Sequence, residues 1–261
     1  MARKLIDISV ALQAGIASDP PQALPKIEYL DHHATAPAVA EYFGIRVDQL
    51  PNGEYAAVER CNISTHNGTH LDAPYHFFSS MNHAVKKGGE PSIGIDEVPL
   101  EWCFQPGVKL DFRHFEDGYV ATPADVEAEL KRIGHRLRPL EIVVVNTRAG
   151  SRYGEADYLD AGCGMGKAAT LWLLEQGVRL VGTDGWSWDA PFSHTRRKLR
   201  EGGSPELIWE GHRAGREIAY SHLEKLHNLE LLPGDGFQVI CFPVKVHRAS
   251  AGWTRAVAVI D

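Results

Sequence analysis

Three histidines and an aspartate stand at positions 66, 70, 72 and 76, inside the run His66-Asn67-Gly68-Thr69-His70-Leu71-Asp72-Ala73-Pro74-Tyr75-His76. Imidazole and carboxylate together make a donor set for zinc, manganese or iron(II), and no thiolate is present to narrow the choice. All four positions share parity, so on an extended segment they would face the same side. The β-branched Thr65 and Thr69, with Gly68 and Pro74, argue against a helix. The stretch reads as a strand running into a loop. A straight strand would spread His66 and His76 over roughly 30 Å, too far for one ion. Gly68 and Pro74 must therefore bend the chain. His70 and Asp72 would lie about 7 Å apart along such a strand, which suits two ligands meeting on one ion. The competing reading is scattered surface histidines, of which the chain has 13. Three of them with an aspartate inside eleven residues favour a metal site.

Strands and turns must position these groups. Residues 4–10 read as an opening strand, and the prolines at 20, 21 and 25 make 18–25 a loop. Residues 37–43 read as a short helix with Pro37 at its first position and Gly44 closing it. A strand over 55–65 feeds the motif. Residues 77–107, rich in glycine and proline, read as irregular, with His83 on the surface. A strand over 108–112 precedes a helix opened by Thr122 as N-cap, Pro123 and Asp125. Val126, Leu130, Ile133 and Leu137 give that helix its apolar stripe, and His135 reads as a solvated residue at its end. Residues 141–147 are apolar enough for a strand buried on both faces.

Glycines 162, 164 and 166 precede a helix over 167–176. They lack the Gly-Lys-Ser/Thr ending of a phosphate loop and the spacing of a dinucleotide fingerprint, so nucleotide binding is not expected. A strand over 179–183 runs into Asp184-Gly185-Trp186-Ser187-Trp188-Asp189. That edge is either a pocket wall or a tryptophan pair packed over a sheet end. Strands over 237–246 and 253–260 finish the chain. The reading is an α/β protein: a single domain over 1–261 with a β-rich mixed-sheet core and peripheral helices.

A hydrophobic content of 44% and a charged content of 23% are those of an ordinary globular protein. The formal charge of −7 argues against nucleic acid or an anionic membrane as partner. No apolar run approaches the roughly 20 residues of a membrane helix. Met1-Ala2-Arg3-Lys4 and the residues after it lack the apolar core of a signal peptide. Cys61, Cys103, Cys163 and Cys241 form no Cys-x-x-Cys pair and fit a reducing compartment, so the expectation is cytoplasmic.

The eleven-residue run resembles the signature H-x-G-T-H-x-D-x-P-x-H of the cyclase-like metal-dependent hydrolase family, which includes bacterial kynurenine formamidases and isatin hydrolases. His66, Gly68, Thr69, His70, Asp72, Pro74 and His76 match all seven specified positions. The resemblance implies that His66, His70 and Asp72 hold a divalent metal, and that a later His and Glu, twelve residues apart, join the centre. His212 and Glu224 have that separation, and Leu226-His227-Asn228-Leu229 follows as the family's Leu-x-Asn-Leu run. His222 competes with them, since it shares a face with Glu224 on an extended segment. The family register implies a homodimer or higher homo-oligomer.

A divalent ion lowers the pKa of water bound to it from ~15.7 toward ~7 and polarises a carbonyl. His76, displaced beyond Pro74, suits a general base and acid; the alternative is a fourth ligand. Formamidase-like members use two zinc ions and isatin-hydrolase-like members one manganese, so both metal and number stay open. The tryptophan-rich stretches at 185–188, 209–212 and 250–255 resemble the isatin-hydrolase branch. There Trp186 and Trp188 would help bind the substrate. The expected activity opens a small cyclic amide or lactone, with isatin to isatinate as the lead reaction. The alternatives are an arylformamidase acting on N-formylkynurenine, a dienelactone-type hydrolase, a cyclase or dehydratase, and, outside enzymes, a metal-binding protein without activity.

Overall fold

The computed structural model describes residues 3–260; Met1 and Ala2, part of the stretch read for a signal peptide, and Asp261 lie outside the described residues. The protein is built on a nine-stranded mixed sheet. Its strands, in chain order, are β1 (Lys4–Asp7), β2 (His70–Asp72), β3 (Phe104–Asp111), β4 (Ile142–Asn146), β5 (Leu180–Thr183), β6 (Ser221–Glu224), β7 (Phe237–Ile240), β8 (Ala251–Trp253) and β9 (Val257–Ile260). Across the sheet they run β1-β9-β7-β3-β4-β5-β6-β2-β8. The central β3, β4, β5 and β6 are parallel, and every strand outside them pairs antiparallel. Ile142, Val143, Val144 and Val145 are buried on both faces, as a nearly continuous apolar run predicts. Each such side chain contributes about 2 kcal/mol of burial free energy.

Among the described residues six α-helices accompany the sheet: α1 (His32–Phe43), α2 (Pro74–Phe77), α3 (Pro123–Ile133), α4 (Lys167–Glu175), α5 (Phe192–Arg200) and α6 (Glu210–Glu217). Val126 and Leu130 of α3, Leu173 and Leu174 of α4 and Ala214 of α6 share one core with Val143, Val145 and Val181. Val144, Leu180, Leu223 and Leu71 point the other way, into a core completed by Leu226, Leu229 and Leu232. The α/β reading with a mixed sheet holds. No helix among the described residues is long and apolar enough to cross a membrane.

Several local expectations are corrected. Helix α1 starts five residues before Pro37, because the Asp31 carboxylate accepts from the amides of His33 and Ala34 and caps it there; Pro37 lies inside. Lys26–Leu30 and Val58–Asn62 pair as a separate ribbon, so the strand before the motif does not feed the main sheet. The stretch 253–260 is two strands, β8 and β9, which lie far apart in the sheet. His135 is not solvated: it bridges Glu141 at 2.9 Å and Asp235 at 2.8 Å. Gly164 has a packing reason, since a Cβ there would lie 1.8 Å from the Ala190 backbone nitrogen.

Candidate metal centre

The eleven-residue run takes three local shapes in succession. Gly68 adopts φ +62°, a left-handed turn that suits glycine. His70 to Asp72 form the short strand β2, and Pro74 opens the single turn α2 that carries His76. Pro74 thus starts a helix, where its missing N–H costs nothing. The run is not one extended face: only His70 and Asp72 share a strand, and His66 and His76 return from the turns on either side.

Antiparallel pairing brings the second contribution. His222 of β6 lies opposite Asp72, and Glu224 opposite His70. The four side chains form a square on the helix-covered face, and all are buried. His222 Nε2 is 3.0 Å from Asp72 Oδ2 and 3.2 Å from Glu224 Oε1. His70 Nε2 lies 3.3 Å from Asp72 Oδ1 and 3.5 Å from Glu224 Oε2. From the flanks, His66 Nδ1 lies 2.9 Å from Asp72 Oδ1, and His76 Nε2 lies 3.8 Å from Asp72 Oδ2. Helix α6 adds His212. The donor atoms of Asp72, His212, His222 and Glu224 lie within 4.8 Å of one another, as do those of His66, Asp72 and His76. Asp72 belongs to both groups.

The outer ring nitrogens are fixed by neighbours. His70 Nδ1 lies 2.9 Å from the Gly68 carbonyl, His66 Nε2 lies 3.0 Å from Ser250 Oγ, and His212 Nδ1 is hydrogen-bonded to Asp189. With the proton on each of those atoms, the opposite nitrogen turns its lone pair to the centre. This is how metal-ligating histidines are usually held. His70 Nε2 and Asp72 Oδ1 are buried 3.3 Å apart, and neither makes a well-aligned hydrogen bond. Unpartnered buried polar atoms are costly, and two that aim at one another's space suit a cation. The donor set therefore fits a divalent metal.

The electrostatics agree. Burial alone would depress the His70 and His222 imidazoles, but the Asp72 and Glu224 carboxylates overcome it and raise both to about 9. Burial would raise Asp72, and the charges of His70, His76 and His66 hold it well below the usual carboxylate range instead. His76 behaves oppositely. Burial, with His66 and His212 nearby, pushes it down to about 4 against the pull of Asp72, so its imidazole is neutral at pH 7.

A cavity of about 180 Å³ opens beside these groups, with His66, His76, His212 and Glu224 on its wall. Trp186, Trp209 and Phe192 supply its aromatic surface. Trp186 is part of that wall. Trp188 is not: it is 1% exposed, its ring lies behind His222, and its indole N–H donates to Thr170 at 3.0 Å. Its backbone N–H donates to Glu224 Oε1 at 3.0 Å, so it supports the cluster from within the core rather than facing a substrate.

Trp209, missed by the sequence reading as a wall residue, stacks on His212 at 4.6 Å and 5°. Its φ of +57° is unusual for tryptophan. Asp189 and Ser250 were missed as orienting groups; only their nearness to Trp188 and Trp253 in sequence marks them.

Three comparisons place this architecture. Cyclase-like protein 1 of Arabidopsis thaliana is 23% identical over 213 residues, covering 80% of this chain and 72% of that protein. The structure of an isatin hydrolase bound to the product analogue thioisatinate superposes with a TM-score of 0.74 at 18% identity, over 99% of this chain and 92% of that one. Isatin hydrolase A from Ralstonia solanacearum gives 0.74 at 21% identity, with the same coverage. The family model described as "Putative cyclase" matches residues 6–190. The chain belongs to the cyclase family.

Proposed function

We propose that the protein is a metal-dependent hydrolase that opens a small cyclic amide or lactone, with isatin to isatinate as the lead reaction. The observation that carries it is the buried cluster of His70, Asp72, His222 and Glu224, joined by His66, His76 and His212, with His66, His76, His212 and Glu224 on the wall of a small aromatic-lined cavity. At about 180 Å³ that cavity is below the roughly 300–1,000 Å³ of drug-sized ligand sites, so it favours a small substrate. The isatin hydrolases among its structural relatives support the substrate class.

His66, His70 and Asp72 would hold the ion, manganese or zinc. Asp72 presents its second oxygen to the group of His212, His222 and Glu224, which either completes that centre or holds a second ion. When bound, the metal supplies Lewis acidity to a carbonyl and to the attacking water. His76 would be the general base: its imidazole is neutral at pH 7 and lies beside Asp72, where it can take a proton from water and return it to the leaving nitrogen or oxygen. Trp186, Trp209 and Phe192 would give a flat substrate an apolar surface to lie against.

The same proposal includes a homodimer or higher homo-oligomer and a cytoplasmic setting. Exposed Tyr29, Tyr42 and Phe43 on the ribbon and α1 support self-association, and four free cysteines a reducing compartment.

The test of roles is a pair of variants. His70→Ala should lose metal, measured by elemental analysis after dialysis, whereas His76→Ala should keep it and lose turnover. Loss of metal from His76→Ala would make that residue a ligand and remove the base from the scheme.

A further inference from the structure

The cavity has a wall that the chemistry above leaves unexplained. Lys225, which directly follows Glu224, is 1% exposed and pairs with Asp19, itself 6% exposed. Its ammonium also donates to the His66 carbonyl at 2.9 Å. Asp19 is fully engaged in turn: Oδ1 accepts from Lys225 and from the Trp186 indole N–H at 3.2 Å, and Oδ2 accepts from Asn67 at 3.1 Å and Ser18 at 3.0 Å. Asn67 closes the circuit by donating to the Ala23 carbonyl at 2.8 Å and accepting from the Ser64 amide at 2.7 Å.

Four segments distant in sequence thus meet at one buried ion pair: the loop 18–23, the turn that presents His66, the loop that presents Trp186, and the end of β6. Backbone strain points to the same residue. Lys225 sits at φ +58°, where glycine would be at ease, so this position keeps a side chain at a conformational cost.

We infer that the Asp19–Lys225 pair is a positioning element of the substrate pocket, fixing the loop 18–23 as its outer wall and setting the places of Trp186 and the His66 turn. The inference rests on the hydrolase reading for what the pocket holds, but the wall itself follows from the hydrogen bonds alone. Without the pair, the loop keeps the Asn67 bonds and the Ala17–Gly154 bridge to hold it, and the Trp186 indole loses its partner. The square on β2 and β6 has its own strand pairing, so among the groups that would hold the metal the loss reaches His66, through its turn. The element therefore acts on how well the substrate is held more than on the bond-breaking step.

The test replaces the pair together, Asp19→Asn with Lys225→Met, so that no buried charge is left alone. Backbone hydrogen exchange is read on the full-length protein, without and with manganese, and isatin hydrolysis is followed on the metal-loaded form. Exchange over 14–24 should rise about tenfold or more while 70–72 and 221–224 stay protected. KM should rise by about tenfold with kcat changed less than about threefold, the signature of lost ground-state positioning.

Unchanged exchange over 14–24 overturns the inference, as does a fall in kcat at constant KM. If the double variant does not fold, Trp186→Phe, which removes the indole bond to Asp19 along with part of the cavity wall, is read by hydrogen exchange alone: exchange over 14–24 should rise by a smaller factor, and no change there overturns the inference. A wild-type protein that opens no isatin refutes the substrate reading instead, and the exchange result alone then decides the wall.

Discussion

In the metal-free protein, His70 and His222 should hold protons that a cation has to displace. Both imidazoles are raised from 6.5 to about 9 because Asp72 and Glu224 stand beside them in a buried square. A group whose folded pKa lies above its unfolded value contributes stability that is complete below about 6.5 and disappears as pH climbs through about 9. A rise of that size is worth about 3 kcal/mol for one imidazole, at 1.36 kcal/mol per unit. The two share the same carboxylates, so their contributions overlap rather than add.

Urea unfolding of chelator-treated protein should therefore show a loss of about 3 kcal/mol or more between pH 6.5 and pH 10. The loss should be smaller in His222→Gln, which separates it from the titration of surface lysines and tyrosines. Titration calorimetry with manganese or zinc at pH 7, repeated in buffers of different ionisation enthalpy, should report the release of about one to two protons per chain. A flat stability profile across that window, together with no proton release, would refute the electrostatic account of the square.

Two further outcomes follow from the packing. Trp188→Ala should cost about 3–5 kcal/mol of stability as a core truncation, whereas Trp186→Ala should leave the melting transition nearly in place and raise KM for isatin; a Trp188 effect confined to KM would restore it to the pocket wall. Gly211→Ala places a Cβ 2.5 Å from Trp188 Cδ1 and 2.8 Å from the Met165 carbonyl, beside His212. It should destabilise by about 1–3 kcal/mol and weaken metal retention, both measurable by thermal melts with and without manganese.

The parts of the site that could be read from sequence were those with period or register. Parity on an extended segment paired His70 with Asp72 and His222 with Glu224, and strand pairing then set the two couples face to face. Parity misled for His66 and His76, because Gly68 and Pro74 reset the backbone and the two rings arrive from a turn and a helix. The tryptophans show the same boundary. Trp186 and Trp188 look alike in a loop read without its fold, yet one lines the cavity and the other is buried behind His222. The apolar runs over β4 and β5 and the capped helices α3 and α4 were legible for local reasons. The ribbon and the pairing of β8 with β2 were not, since short strands of a few residues carry no period and are placed by partners far away in sequence.

The central claim is that a divalent ion held by His66, His70 and Asp72 makes the protein a hydrolase of a small cyclic amide or lactone. The direct measurement is the absorbance change of isatin with protein that has been stripped, then reloaded with manganese or zinc to a stoichiometry fixed by elemental analysis. The account predicts ring opening that is absent from the stripped protein, returns with the metal, and is lost in His76→Ala at full metal content. Metal bound at the expected stoichiometry with no turnover of isatin, N-formylkynurenine or a panel of small lactones would contradict it and leave a metal-binding protein without hydrolase activity.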